Sequence, residues 1–536
     1  MAKRVRTGRR VSYASRDSGT FRGALAQWRG RRVYSEAQAD AERRNAANRA
    51  ADLAANDWVA EALLSTLQYN VIGQGLKPNV TLPAEELNIT PEQARELKRK
   101  FEWIYARWER GADVTGRSSF SQMQFLGLRT LLAEGELIHV PVMLSEAERV
   151  ARGLPYSLVV QAVSPSRLRT PAMYESDPYV RAGIRFDDWG RPTAYYIACP
   201  PADGTGAMLS DGDNSADFVT IPAQIAHRPG LLHLFVRKEA EQIRGESVFS
   251  NSAALFRYID DAVKYELEAQ NMAAKFAVFI ARENSFAPAP GFESSVPAGE
   301  DRDEDDGADR YFSMDGPMVM MGRPGEKPEI ISSDRPSANW KELIKLGISG
   351  VAGSASLSYL AVSKDYSNVN YSSARAAMNQ DWKVVSWYRD FMGGGDSQPF
   401  FDMLIEEAYL RGEWQPPAGA PDFYEARALW TSVQWVGPAR GYMDPVKEIQ
   451  SDVLAVQNKL ATMHETYAAN GRDFDDSYPI LLAEHKQMLA LGMGNDTSSS
   501  NAAVASDAPA GASAAPSDDG DDGGRDNDDS KDDDDE

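Results

Sequence analysis

Residues 360–389, LAVSKDYSNVNYSSARAAMNQDWKVVSWYR, constrain the fold most, because the two halves of the stretch demand different backbones. Residues 360–371 are polar, and Asp365, Ser367, Asn368 and Asn370 all favour turns by bonding their own backbone. A helix follows at once. Ser372 or Ser373 is the expected N-cap, and Ala374, Met378, Trp382, Val385, Tyr388 and Met392 recur at three- and four-residue spacing, which places one apolar stripe on a helix expected to stop before Gly393-Gly394-Gly395. The chain therefore contains a polar loop held at the head of a rigid helix.

Elsewhere the clearest local signal is Thr90-Pro91-Glu92-Gln93, an N-cap, a first-position proline and a capping-box glutamine ahead of the stripe Ala94, Leu97, Phe101, Ile104 and Trp108. Residues 34–69 read as one or two helices with Trp58, Ala62, Leu63, Thr66 and Leu67 on a packed face, and residues 120–134 as another, closed by Gly135. Then the rhythm changes to period two. LIHVPVML, SLVVQAV, AGIRF and AYYIA predict strands, the last two as a hairpin around Asp187-Asp188-Trp189-Gly190. Leu255, Ile259, Val263, Leu267, Met272, Phe276 and Ile280 outline a long helix, about 40 Å at 1.5 Å per residue. A second helix starts with Trp340, Leu343, Ile344 and Ile348 and is expected to dissolve into the Gly/Ser run before Leu360. Further helices are expected over residues 400–410, over Ile449, Val453, Val456 and Leu460, and over residues 478–491. The fold class is α+β, mainly helical, and 536 residues exceed one ordinary core.

The net charge of −22 is unevenly placed. Residues 1–32 carry ten Lys/Arg against Asp17 alone (+9), residues 517–536 carry twelve Asp/Glu against Arg525 and Lys531 (−10), and −21 falls on the body between them. Both ends have the composition of disordered segments, as does the Pro/Gly-rich acidic stretch of residues 283–310 containing GEDRDEDDGADR. An acidic body is unsuited to gripping duplex DNA tightly, since non-specific affinity comes from neutralising phosphates, and is suited either to sliding or to plain solubility.

Chemical motifs are lacking. GRPGEKP at residues 322–328 has the wrong spacing for a phosphate loop and prolines where backbone donors are needed. His139, His227, His233, His464 and His485 form no HxxxH or HExxH pattern, and His139 reads as a satisfied structural residue in a strand. A single cysteine, Cys199, excludes an internal disulfide and a CxxC metal site. Residues 346–363 are too rich in Gly and Ser to cross a bilayer, and the basic start leads into no apolar signal segment. Neither catalytic residues, nor a metal, nor a cofactor, nor a membrane contact is expected.

The motif DYSNVNYSSARAA resembles the signature of the lambda-type bacteriophage portal proteins, and so, in order along the chain, do NVIGQG, GIRFDDWGRPTAYYI, the AEQIRGES piece after His233, DGPMVMMGRPGEKPEI and DPVKE. The resemblance spans residues 52–491. It implies a non-enzymatic subunit of a closed ring, dodecameric, at one capsid vertex, synthesised in the host cytoplasm and carried in the virion, through which viral DNA is packaged and ejected. It further implies regions in this order: a basic arm (1–33), a wing (34–244), a stem helix (245–282), a clip with the acidic insertion (283–335), a second stem helix (336–352), a tunnel loop (353–371), a long helix and wing return (372–442), a helical crown (443–494) and an acidic tail (495–536). The partners implied are further copies of the chain, double-stranded DNA in the channel, terminase, the major capsid protein and head-completion or tail adaptor proteins. Lys364, Asp365, Tyr366, Ser367 and Asn368 become the DNA-facing loop, with Tyr371, Ser372 and Arg375 as its support and Asp444, Pro445, Lys447 and Glu448 as a family motif. Lys364 reads either as a transient phosphate contact or as a solvent or intersubunit charge. Arg375, a cation near a helix start, calls for a carboxylate partner, and Tyr366 and Tyr371 are expected to pack within the chain or stack on a neighbour. A protein-binding scaffold that never encloses DNA, and a metal-dependent DNA-processing enzyme, are the competing readings.

Overall fold

The computed structural model describes residues 36–199, 217–275, 278–280, 311–312, 319–321, 340–367, 369–441, 445–470 and 474–490. The charged arm and tail, the acidic insertion, Asn368 and Asp444 lie outside the described residues. The chain divides into two compact units, Met1–Asp473 and Phe474–Glu536.

Helices α1 (Glu36–Asn56) and α2 (Trp58–Val71) meet at Asp57, whose carboxylate accepts the N–H groups of Val59 and Ala60 and starts α2. The packed face of α2 is Val59, Ala60, Leu63, Leu64, Leu67 and Val71. Trp58, expected on that face, is instead exposed, because the helix turns its stripe one position further along. NVIGQG then turns the chain with Gly73 and Gly75 at positive φ, into β1 (Lys77–Val80). The capping box at Thr90 is formed, and α3 (Pro91–Glu109) buries Leu97, Phe101, Ile104 and Trp108 as its stripe requires. Helix α4 (Phe120–Ala133) leads through Gly135, at φ +90°, into β2 (Glu136–Met143).

After the short α5 (Glu146–Ala151) comes β3 (Leu158–Val163), antiparallel to β2. Strands β4 (Val180–Arg181), β5 (Ile184–Phe186), β6 (Pro192–Ala198) and β7 (Phe218–Pro222) form an antiparallel meander, and β5–β6 is the expected hairpin. A two-stranded ribbon, β8 (Gln224–Ile225) and β9 (Arg228–Pro229), precedes β10 (Leu232–Phe235), which pairs with the free edge of β2.

Helix α6 (Ala253–Lys275) is shorter than its apolar periodicity predicted, about 35 Å at 1.5 Å per residue. Ile280 lies in a strand, β11 (Val278–Ile280), which pairs in parallel with β13 (Val319–Met321), itself antiparallel to β12 (Tyr311–Phe312). β-branched Val278 and Ile280 suit a strand as well as a helix, which is why the periodicity overran. Helix α7 (Trp340–Ser354) corrects the opposite error: it runs on through Gly347, Gly350 and Gly353. A Cβ at Gly347 would stand 2.8 Å from Ile259 Cγ1 and one at Gly350 3.0 Å from Leu255 Cδ1. Gly347 and Gly350 let α7 press against α6; they do not dissolve it.

Helix α8 (Tyr359–Ser363) lies within the stretch expected to be loop. Helix α9 (Tyr371–Met392) begins at Asn370, not at Ser372 or Ser373, and is followed without a break by a π-helical turn, Gly393–Ser397, and then α10 (Gln398–Leu410). The triple glycine therefore bends the rod's register and does not end it. α11 (Arg427–Trp430) precedes β14 (Val433–Val436), antiparallel to β1, so residues 77–80 and 433–436 close the body across most of its length. α12 (Pro445–Gln457) and α13 (Met463–Ala469) follow, with Leu460 beyond the helix expected to contain it, 82% exposed. In the second unit α14 (Phe474–Ala490) starts four residues before the expected Tyr478 and tolerates Pro479 within its first turns.

Three cores result. One gathers α2, α4, α6, α7, α8 and α9 around Leu64, Phe256, Val351, Val362, Val385 and Met392. The second is aromatic, with Trp108, Phe120, Phe400, Phe401, Trp414 and Trp430 between α3 and α10. The indole N–H groups of Trp108 and Trp414 donate to the carbonyls of Leu158 (2.8 Å) and Ile405 (3.0 Å), so these rings are buried without stranding a donor. The third lies over the β2 and β6 sheets. The architecture is α+β and mainly helical.

Candidate functional site

Lys364, Asp365, Tyr366 and Ser367 stand together on one exposed loop between α8 and α9. Its two ends are fixed by different means. On the α8 side, Val362 is buried in the helical core, the Thr66 hydroxyl of α2 donates to the Ala361 carbonyl (3.1 Å), and Asp381 of α9 receives both the Ser358 N–H (2.7 Å) and the Ser358 hydroxyl (2.6 Å). Ser358 in turn caps α8 by accepting the Ala361 N–H. Lys364 ends α8 in the left-handed region, φ 55°, and its N–H returns to the Leu360 carbonyl at 3.0 Å. A lysine has no side-chain device to favour that conformation, which costs about 1 kcal/mol and holds only because α8 is clamped.

On the α9 side, Asn370 Oδ1 accepts the Ser373 N–H (2.8 Å) and the Ser372 hydroxyl (2.9 Å), which is why the helix starts two residues earlier than the serines suggested. Between the ends, Asp365 Oδ1 accepts the N–H (3.1 Å) and hydroxyl (2.5 Å) of Ser367, an Asx turn. Those bonds hold the Asp365 carboxyl below the usual carboxylate range, so the loop carries a fixed negative charge beside the Lys364 cation. Lys345 of α7, whose ammonium lies 5.7 Å above the Tyr359 ring, adds a second positive charge near Asp365.

Tyr366 and Tyr371 are 64% and 47% exposed, so packing within the chain does not account for them. Ser372 and Arg375 are exposed on the first turns of α9, and none of the described carboxylates pairs with Arg375. Pro445 and Lys447 are exposed at the start of α12, with Glu448 half-buried beside them. Among the described residues no group of three His, Cys, Asp or Glu could hold a metal, and no helix is long and apolar enough to cross a membrane.

Three supports escaped the sequence reading. Asp381 is the first. The second is Arg244, within QIRGES, which is buried against Glu136 through two parallel bonds (2.7 Å each) and donates to the carbonyls of Leu168, Ala182 and Pro165. This guanidinium joins β2, the β4–β5 turn and the segment entering α6, and with His233 holds the Glu136 carboxyl far below its ordinary range despite complete burial. The third is the pair His139 Nδ1 and Asp396 Oδ1, 2.7 Å apart and both 1% exposed, which ties the π turn to β2.

The model of the family "Phage portal protein, lambda family" matches residues 21–389, from the N-terminal arm to the end of the loop-bearing helix. The chain belongs to the lambda family of phage portal proteins. It is similar to the portal protein of Escherichia phage N15, 24% identical over 490 residues covering 89% of this chain and 90% of that one. It is also 24% identical to portal protein B of Escherichia phage lambda over 463 residues, 83% and 84% of the two chains. Among solved structures, a chain from the neck of an empty gene transfer agent particle overlaps with a TM-score of 0.33 at 11% identity, covering 72% of this chain and 93% of that one. As a portal protein the chain is a structural, non-enzymatic component of the virion that forms the capsid-vertex connector for DNA packaging. The family match stops short of Asp444, Pro445, Lys447 and Glu448.

Proposed function

We propose that copies of this portal chain close into a twelve-membered ring whose channel is lined at its narrowest by the loop of residues 364–370. A patch that meets a different patch through a constant rotation closes a ring without symmetry within the subunit. In this reading α6 and α7 form the stem and the β11–β13–β12 sheet forms the clip that docks terminase and later the head-completion or tail adaptor proteins. Residues 34–244 and 372–442 form the wing toward the major capsid protein, and residues 443–494 the crown. DNA leaves by the same channel on ejection.

The observation that carries the reading is the double clamp on the loop: the segment between α8 and α9 is held by Asp381 and Thr66 at one end and Asn370 at the other. Ordering each residue of the loop costs about 1–2 kcal/mol, which these bonds offset. Lys364 then presents a point charge to passing phosphates, tempered by Asp365. Negative-stain electron microscopy with solution mass tests the ring: a compact symmetric dimer refutes it. Lys364→Ala should leave rings intact and change packaging yield or retention of packaged DNA; unchanged DNA handling in intact rings removes Lys364 from the channel surface.

A further inference from the structure

The geometry points to a second phosphate-binding surface, a basic stripe along the outer face of α9 made by Arg375 and Lys383 and joined by Arg440, which takes the backbone of duplex DNA beyond the loop. The inference deepens the channel reading and rests on it. It starts from where the cations of this acidic chain go. Many described arginines are spent on carboxylates: Arg129 on Glu61, Arg149 on Glu146, Arg244 on Glu136, Arg228 and Arg427 on Glu406, Arg411 on Glu407. By contrast no described carboxylate pairs with Arg375, Lys383, Arg440 or Lys364.

The pattern is written into the helix. The neighbours of Arg375 one turn away are Tyr371, Ser372, Met378 and Asn379, and those of Lys383 are Asn379, Gln380, Ser386 and Trp387, none of them charged. Asp381, the carboxylate closest in sequence, is taken by Ser358. Arg375, Asn379 and Lys383 fall four apart on one exposed line spanning about 12 Å. Asn379 accepts a hydrogen bond from the Arg440 guanidinium, which brings a third cation from the segment before α12 onto the same line. Arg375, on the fifth residue of the helix, also opposes the helix dipole, a placement that local stability does not favour. Arg375 and Lys383 are exposed and Arg440 is half-buried beside them, and phosphates are the ligand that unpaired cations in such a row recognise without sequence preference.

The test uses the full chain and a 30-base-pair duplex of random sequence, with binding followed by fluorescence anisotropy from 50 to 200 mM KCl. Arg375→Ala/Lys383→Ala removes two phosphate contacts per touching subunit and should lower the slope of log K against log salt by about 1.8 for each, shrinking the wild-type advantage at least about twelvefold over that range. Lys100→Ala/Arg110→Ala, an equal charge loss on exposed positions of α3 and its end, should leave the slope unchanged. Equal slopes in all three proteins overturn the inference. So does loss of rings in the stripe variant alone, which would assign the cations to a neighbouring copy. Binding of a synthetic peptide of residues 517–536 to wild type but not to the stripe variant, with DNA slopes equal, assigns the stripe to the acidic tail and overturns it as well. The slope is read on whatever species the solution mass finds, so a compact symmetric dimer, which refutes the ring reading, is distinguished from failure of the stripe.

Discussion

Asp381→Ala should unlatch α8 while leaving the rest of the body folded. The carboxylate receives two bonds from Ser358, 2.7 Å from its N–H and 2.6 Å from its hydroxyl, and that hydroxyl is itself the cap of a five-residue helix. A helix so short cannot hold itself in water. Each charge-assisted bond is worth about 1.5–3 kcal/mol, and water reaches part of the site, so the loss should total about 2–4 kcal/mol, confined to residues 355–370. Hydrogen exchange is the direct readout: α8 amides should exchange about 30- to 1000-fold faster, which is that energy at 1.36 kcal/mol per decade, and trypsin should cut after Lys364 sooner. Asp381→Asn keeps one acceptor and should fall between. Asp390→Ala, exposed on the same helix, should do nothing. Unchanged α8 protection in Asp381→Ala would refute the argument that this carboxylate holds the loop's first end.

Two further expectations concern the buried pair. Arg244→Met strands Glu136 in a fully buried position and should cost about 3–5 kcal/mol in thermal unfolding, whereas Glu136→Leu/Arg244→Met should recover the charge penalty but not the bonds to the Leu168, Ala182 and Pro165 carbonyls; a double variant as unstable as the single one contradicts this. The pair also sets a pH dependence. Because the folded Glu136 pKa is depressed, its contribution is complete above the unfolded value near about 4.3 and is lost as pH falls toward the folded value, so wild type should lose about 1.4 kcal/mol per pH unit more than the double variant below that point. Parallel stability curves from pH 5 to pH 3 would show that the carboxylate is not held so low.

What the sequence revealed was set by how local the signal is. The capping box at Thr90, the β5–β6 hairpin and the stripe of α3 each depend on residues within one or two turns, and all three are present as expected. The glycines misled twice in the same direction for one reason: a missing Cβ is read as flexibility, whereas at Gly347 and Gly350 it is room for Ile259 and Leu255, and at Gly393 room for Trp435, 2.9 Å from where a Cβ would be. The loop's position was legible in DYSNVNYSSARAA. Its clamps were not, since Asp381 and Thr66 reach it across 23 and 295 residues of chain and no spacing rule connects them. Arg244 and Glu136, 108 residues apart, were hidden in the same way.

The π turn explains how one rod serves both ends of the molecule. α9 buries Val385 and Met392 in the helical core that holds α8 and the loop, while α10 buries Phe400, Phe401, Leu404 and Ile405 in the aromatic core. An unbroken α-helix keeps one stripe on one line, so entering a second core on another side requires the register to shift. The wider π turn at Gly393–Ser397 supplies that shift without a break in the backbone ladder. Two things then fix it in place: Gly393 and Gly395 admit Trp435 and Leu234 where side chains would stand, and Asp396 meets His139 in full burial. The consequence is mechanical. A push applied at the head of α9 travels along a continuous helix to a point bonded to β2 through side chains that are already packed.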